Sequence, residues 1–166
     1  ATNGAAYPTW DSASGWKFSR ANSQYLTTGV TPASGYSMIV KYSNGNLSAN
    51  YQSLAGYHKI GARLRLDFIN GPTNRTYASG GVKTESVDVN KANGVMCVAG
   101  QSGYFDGSSA VTGIPPWEDT ASGDIWIGGT NGLGYYSNVY IQAIAIYNQT
   151  LTAIQVAALT TAMNAL

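Results

Sequence analysis

The apolar positions of this chain come in short alternating runs broken by Gly, Asn, Ser and Thr, and only the last run changes period. The clearest alternation spans residues 62–69, with Leu64, Leu66 and Phe68 on one side and Arg63, Arg65 and Asp67 on the other. That pattern predicts a strand with one face in the core and one in water, where Asp67 serves as an ion-pair partner for the arginines. Tyr36–Tyr42 is a predicted strand with Met38 and Val40 facing together. Val95–Gly100 is apolar on both sides, the mark of a central strand. Further strands are expected over 16–20, 24–28, 52–57, 75–78 and 82–89. Asp106-Gly107 suits a tight hairpin turn with positive φ at both central residues. Residues 1–15 read as an edge strand or an N-terminal arm, and 112–123 as a long loop carrying Pro115, Pro116 and Trp117.

The C-terminal stretch organises the rest. A strand over Val139–Tyr147 puts Val139, Ile141, Ala143, Ala145 and Tyr147 on one face and Tyr140, Gln142, Ile144 and Ile146 on the other. Both faces are mostly apolar, so this strand is predicted to be central and covered on both sides. The period then becomes helical. Thr152 as N-cap with Gln155 fits a capping box, Leu151 with Val156 fits a hydrophobic staple, and Val156, Leu159, Met163 and Leu166 share a face. Many short strands at spacings of about 8–12 residues, followed by one late helix, predict an all-β fold. The expected architecture is a two-sheet antiparallel jelly-roll sandwich with one short C-terminal helix, formed as a single domain over 1–166.

The run Ile125-Trp126-Ile127-Gly128-Gly129 and the stretch AIAIYNQTLTAIQVAAL resemble the closing signature of the laminin-G-like, concanavalin A-like lectin-glucanase family of jelly-roll domains. SQYLTTG, SLAGYH and YFDG stand where that family has its early strand, its small-residue strand and its central hairpin turn. The resemblance covers nearly the whole chain and implies the same sandwich. Gln142 stands where the family often has an acid, and Gln155 where it often has a Glu. A metal-binding role for acids at those two positions is therefore not carried over.

Composition narrows the function. Charged residues make up 10% of the chain against about 25% in ordinary domains. Gly (20) and Tyr (12) are abundant instead, which suits polar, uncharged loops on an extracellular protein or a virion surface. A net charge of +1 excludes a surface that tracks nucleic acid. No apolar run reaches the ~18 residues that membrane insertion needs. The chain opens on Ala1, which reads as a trimmed start, by signal cleavage or by Met removal. Cys97 is the only cysteine and His58 the only histidine, so neither an internal disulfide nor a zinc site is available. Cys97 is expected to be a buried small hydrophobe.

Catalysis needs paired titratable groups, and here they are sparse. A retaining glycosidase holds two carboxyls about 5–5.5 Å apart. Glu85 and Asp88 have the wrong parity to share a strand face, and no Ser-His-Asp elbow surrounds His58. No catalytic residue is assigned, and no enzyme is expected. Calcium is the one cofactor to weigh: Glu118, Asp119 and Asp124, or Asp106, carry suitable oxygens, but their spacing matches no established loop. No cofactor and no metal site is assigned. Asn46, Asn74 and Asn148 each open a glycosylation triplet of a kind frequent by chance in such a chain.

The strongest functional signal is aromatic side chains in loops. Trp117, Tyr135 and Tyr136, together with Trp10, lie where the core does not need a ring. Rings flanked by Asn, Ser and Gly suit sugars, whose C–H faces pack on the ring while amides fix the hydroxyls. The expected ligand site is Trp117 with Tyr135 and Tyr136, helped by Tyr104 and His58. The chain is read as a non-catalytic, lectin-like binding or adhesion module for a glycan or a partner surface. The alternative is a virion structural component, such as a capsid decoration or tail protein, within a larger assembly.

Overall fold

The computed structural model describes residues 7–43, 51–68, 74–86 and 92–166. In order they form β1 (Thr9–Asp11), β2 (Gly15–Lys17), β3 (Leu26–Thr27), β4 (Ser37–Ser43), β5 (Gln52–Lys59), β6 (Ala62–Phe68), β7 (Asn74–Ser79) and β8 (Gly81–Ser86). There follow β9 (Gly94–Ala99), β10 (Ser102–Phe105), β11 (Ser108–Thr112), β12 (Trp126–Ile127), β13 (Gly129–Asn131), β14 (Tyr135–Tyr136), β15 (Tyr140–Tyr147) and α1 (Ala153–Asn164). One sheet runs β1-β2-β15-β4-β9-β10-β11 and the other β14-β13-β5-β6-β7-β8, with the short ladder of β12 and β3 joined to β5. The fold is an all-β, two-sheet jelly roll closed by one helix. Among the described pairings, β13 on β5 is the parallel exception to an antiparallel plan.

The core lies between the sheets. Met38, Val40 and Tyr42 of β4 and Met96 and Val98 of β9 meet Leu64, Leu66 and Phe68 of β6 and Tyr77 of β7. Each is fully buried, and burying such a side chain contributes about 2 kcal/mol. The alternate residues of the first sheet point outward to a second core. There Ile39, Val95, Cys97 and Tyr104 pack under Leu151, Val156 and Met163. Helix α1 therefore roofs the outer face of the seven-stranded sheet, which is why β9 is apolar on both sides. Cys97 is 1% exposed, and burial pushes its thiol up to about 12.

Local signals act as their chemistry dictates. Asp106 and Gly107 both hold positive φ, 48° and 81°, at the β10–β11 turn, and Asp106 Oδ1 accepts the Val95 N–H at 2.9 Å. The capping box at Thr152 and Gln155 forms in both directions. At the other end of α1, Lys41 Nζ donates to the Met163 carbonyl at 2.9 Å, placing a cation at the helix C-terminus. The predicted apolar helix face forms through Val156, Leu159 and Met163, with Thr160 buried beside them, but Leu166 is 81% exposed because the helix stops at Asn164 before reaching it.

The predicted alternation of β15 also needs correction. The β4 ladder shifts register between Ile141 and Ala143, a bulge that leaves Gln142 as an extra residue. Ile141 therefore shares the inner core with Ile144 and Ile146, while Ala143, Ala145 and Tyr147 lie against the second core. The strand is covered on both sides as expected, but with the faces exchanged at the bulge. At the N-terminal end, Thr9–Asp11 forms an edge strand on β2. Residues 1–6 lie outside the described residues, as do Asn46, Asp88 and most of the turns predicted over 43–50 and 70–74.

Candidate functional site

The β5–β6 hairpin carries the most ordered polar cluster. Its register sets His58 opposite Arg63, Gly56 opposite Arg65, and Ser53 opposite Asp67. Residues opposite one another in an antiparallel ladder share a face, so Arg63, Arg65 and Asp67 do alternate away from the core as the sequence implies. That face, however, is not wet. Arg65 is 5% exposed and Asp67 is fully buried. Two features explain the correction. Gly56 offers no side chain, and a Cβ there would stand 2.3 Å from Arg65 Cβ, so the arginine lies close on the neighbouring backbone. In addition, β13 brings Thr130 onto this face, where its hydroxyl donates to Ser53 Oγ at 2.5 Å and to Asp67 Oδ1 at 3.2 Å.

The electrostatics follow from this burial. Arg65 Nη1 lies 2.9 Å from Asp67 Oδ2, but the pair is poorly aligned, and among the described residues Arg65 Nε has no hydrogen-bond partner. Desolvation raises the Asp67 carboxyl above its ordinary range, with Arg65, Ser53 and Thr130 pulling the other way. His58 is pushed down to about 4, first by burial and then by Arg65 and Arg63. It is neutral at pH 7, and its Nδ1 accepts the Arg63 Nε–H at 3.2 Å. The histidine thus serves the hairpin's own network.

The aromatic residues divide into separate groups. Tyr135 stacks on Tyr51, with ring centroids 5.0 Å apart, and Tyr51 is 41% exposed. Tyr135 pairs with Thr130, which places it on the same face as the Ser53–Asp67–Thr130 network. Next to it on β14, Tyr136 lies 6.2 Å from Tyr25, which stacks at 3.7 Å and 12° on Trp126. The predicted pair Tyr135–Tyr136 therefore belongs to two separate ring groups, Tyr135 with Tyr51 and Tyr136 with Tyr25 and Trp126. Sequence reasoning missed Tyr25, Tyr51 and Trp126. Tyr25 and Trp126 read as strand residues, and Tyr51 stands beside a turn, so no local signal marked them.

Trp117 belongs elsewhere. Its indole N–H donates to Ser79 Oγ at 3.2 Å, and the ring is half-buried against the main core. It borders a 170 Å³ hollow with Gly35, Gly100, Pro116 and Thr150, which neither Tyr135 nor Tyr136 lines. Tyr104 is 8% exposed and packs in the second core beside Cys97 and Leu151. The structure brings Tyr135 and Tyr136 together but not Trp117, Tyr104 or His58 with them.

The acids are engaged one by one. Glu85 pairs with Arg75 at 3.0 Å, and Asp119 pairs with Lys59 at 2.7 Å. Asp124 accepts from Asn131 Nδ2, and Asp11 Oδ1 accepts the N–H groups of Ala13 and Ser14. Among the described residues, no three of His, Cys, Asp and Glu converge as metal ligands would.

No protein-family model matches the chain, and no curated protein matches it. Solved structures do. A structure of botulinum neurotoxin type C, whose cell entry is dependent upon interaction with two ganglioside molecules, aligns with 98% of this chain and 46% of that one, at 11% identity and a TM-score of 0.68. A native heptameric SAP-like pentraxin from Limulus polyphemus aligns over 82% of this chain and 74% of its own, at 13% identity and a TM-score of 0.62. A sialidase from Trypanosoma rangeli aligns over 78% of this chain at 14% identity and a TM-score of 0.57, and the chain spans only 23% of the sialidase. The shared feature is the fold. These neighbours share the two-sheet jelly-roll architecture of this chain.

Proposed function

We propose that the protein is a non-catalytic glycan-binding module that uses the β14 edge of its second sheet as an aromatic platform. The observation that carries this reading is two ring stacks that meet on the short strand β14: Tyr51, 41% exposed, on Tyr135, and Tyr136 beside Tyr25, which is buried and stacked on Trp126. Rings held by neighbours lose little freedom on binding, and their faces suit the C–H face of a pyranose. Thr130 and Ser53 beneath Tyr135 are tied to Asp67, so the backbone that presents the ring is rigid. One structural neighbour supports the class: botulinum neurotoxin type C depends on two ganglioside molecules for cell entry. The sialidase match spans under a quarter of that enzyme, and its chemistry is not carried to this chain.

Titration with a glycan array followed by calorimetry on the best ligand tests the reading. Tyr135→Ala and Tyr51→Ala are expected to weaken binding about ten-fold, the loss of ~1.4 kcal/mol of ring contact, with the melting temperature nearly unchanged. Trp117→Ala should lower the melting temperature, because its ring is seated on the core and bonded to Ser79. Full affinity in both tyrosine variants would remove the platform from the assignment.

A further inference from the structure

The two sheets part at the edge formed by β1, β2 and β15, and there the structure leaves aromatic surface that neither core uses. Trp10 and Trp16, opposite each other across β1 and β2, are 58% and 37% exposed. Their rings meet at 62° with centroids 5.4 Å apart, which makes an inside corner of two indole faces. Together with Leu26, Ile127 and Ile144 they line a cleft of about 300 Å³, at the small end of ligand cavities. No charged residue lines it. Its one polar side chain is Gln142, the extra residue of the β15 bulge.

Gln142 also borders a second and larger hollow. That groove, about 720 Å³, is lined by Lys41, Ser43, Asn93, Asp106 and Asn164. Its two charged side chains each hydrogen-bond the backbone: Lys41 donates to the Met163 carbonyl, and Asp106 accepts the Val95 N–H. The other polar side chains of the lining are amides and hydroxyls. The bulge between the two hollows is fixed by backbone contact, because Gly15 runs so close to it that a Cβ would stand 2.3 Å from the Ile141 carbonyl oxygen. Bulges are a common device for re-aiming one side chain, and this one sets an amide at the junction of an apolar corner and a polar groove.

We propose that the Trp10–Trp16 corner, with Gln142 at its rim, is a binding site for one pyranose of a neutral oligosaccharide, whose C–H face seats on the indoles while the Gln142 amide reaches its hydroxyls. No charged residue lines the corner, so a carboxylate on the sugar seated there would be desolvated without a cation to meet it, which favours a neutral sugar. The ligand class rests on the glycan-binding reading above, but the site is distinct from the β14 platform and uses none of its residues.

Tryptophan fluorescence and calorimetry with cellopentaose, maltopentaose and lacto-N-tetraose as probes test it. One of these is expected to bind and to shift the emission. Trp10→Ala and Gln142→Ala should each weaken it at least about ten-fold, Trp10→Phe should retain most of the affinity, and Ile60→Ala, at an exposed position outside both sites, should leave this binding intact. Trp10 is exposed on an edge strand, so a melting curve of Trp10→Phe verifies the fold of that edge independently. If binding survives Trp10→Ala and Gln142→Ala but is lost with Tyr135→Ala, this site is wrong and the glycan-binding function stands. Failure of every neutral probe, with binding to an acidic glycan instead, also overturns the site alone. Should light scattering show a dimer that Trp10→Ala converts to a monomer, with sugar binding unchanged, the corner is a self-contact and the inference falls.

Discussion

At the residue scale, the decisive fact is that one side chain in the polar row of β6 cannot be removed without stranding another. Arg65 and Asp67 are both buried, and a buried pair is worth little as a pair but much to break. Asp67→Asn keeps the shape and the Thr130 contact but leaves the Arg65 charge without a counter-ion. It is expected to destabilise by about 3 kcal/mol in urea denaturation. The double replacement Arg65→Met with Asp67→Leu should recover most of that loss, since neither charge then needs solvation. A neutral effect of Asp67→Asn would mean that water reaches the guanidinium. The alternation that puts these residues on one face was readable in the sequence. Their burial was not, because it depends on the missing side chain of Gly56 and on β13 arriving from far along the chain.

At the element scale, the long runs with a single period were legible and the short or interrupted ones were not. β4, β6, β9 and α1 follow their patterns because packing and capping act locally within each. β15 looks like an unbroken alternating strand, yet one bulge reverses its faces. The signal for it lies at Gly15, whose close approach to Ile141 and Gln142 only the assembled sheet shows. Gly15 also holds φ +86°, so Gly15→Ala suffers twice, from a strained backbone and from a Cβ driven into the β15 carbonyl. Its cost should exceed about 1 kcal/mol in chemical denaturation. A merely conformational role for Gly15 predicts rescue by Gly15→Asn, which tolerates left-handed φ; a packing role predicts none. The contact distances favour no rescue. The candidate site was half legible for the same reason. Tyr135 and Tyr136 announced themselves as loop aromatics, while Trp117 and Tyr104 looked alike in sequence and were claimed by the core, because a ring's burial depends on which loop or helix covers it.

At the scale of the whole molecule, stability should respond to acid through His58. Its folded-state value lies near 4 against an ordinary 6.5, lowered by burial and by the Arg65 and Arg63 charges. The unfolded chain therefore binds a proton in that window before the folded one does, and the contribution of neutral His58 is present above pH 6.5 and lost as pH falls toward 4. Protonation also removes the Nδ1 lone pair that accepts the Arg63 Nε–H. Asp67 works in the opposite sense. Its raised value makes the folded state favour the protonated acid, so its contribution is present below about 3.8 and lost as pH rises through the folded value. Comparing the native chain with His58→Gln cancels the Asp67 effect, because both proteins carry it. The difference in melting temperature between the two is expected to shift against the native chain as pH drops from 7 to 4.5. The imidazole is only partly buried, so screening keeps the change small, and a series of matched pH values is needed to read it. A difference that stays constant across that range would show that His58 titrates normally and that the two arginines beside it are fully screened.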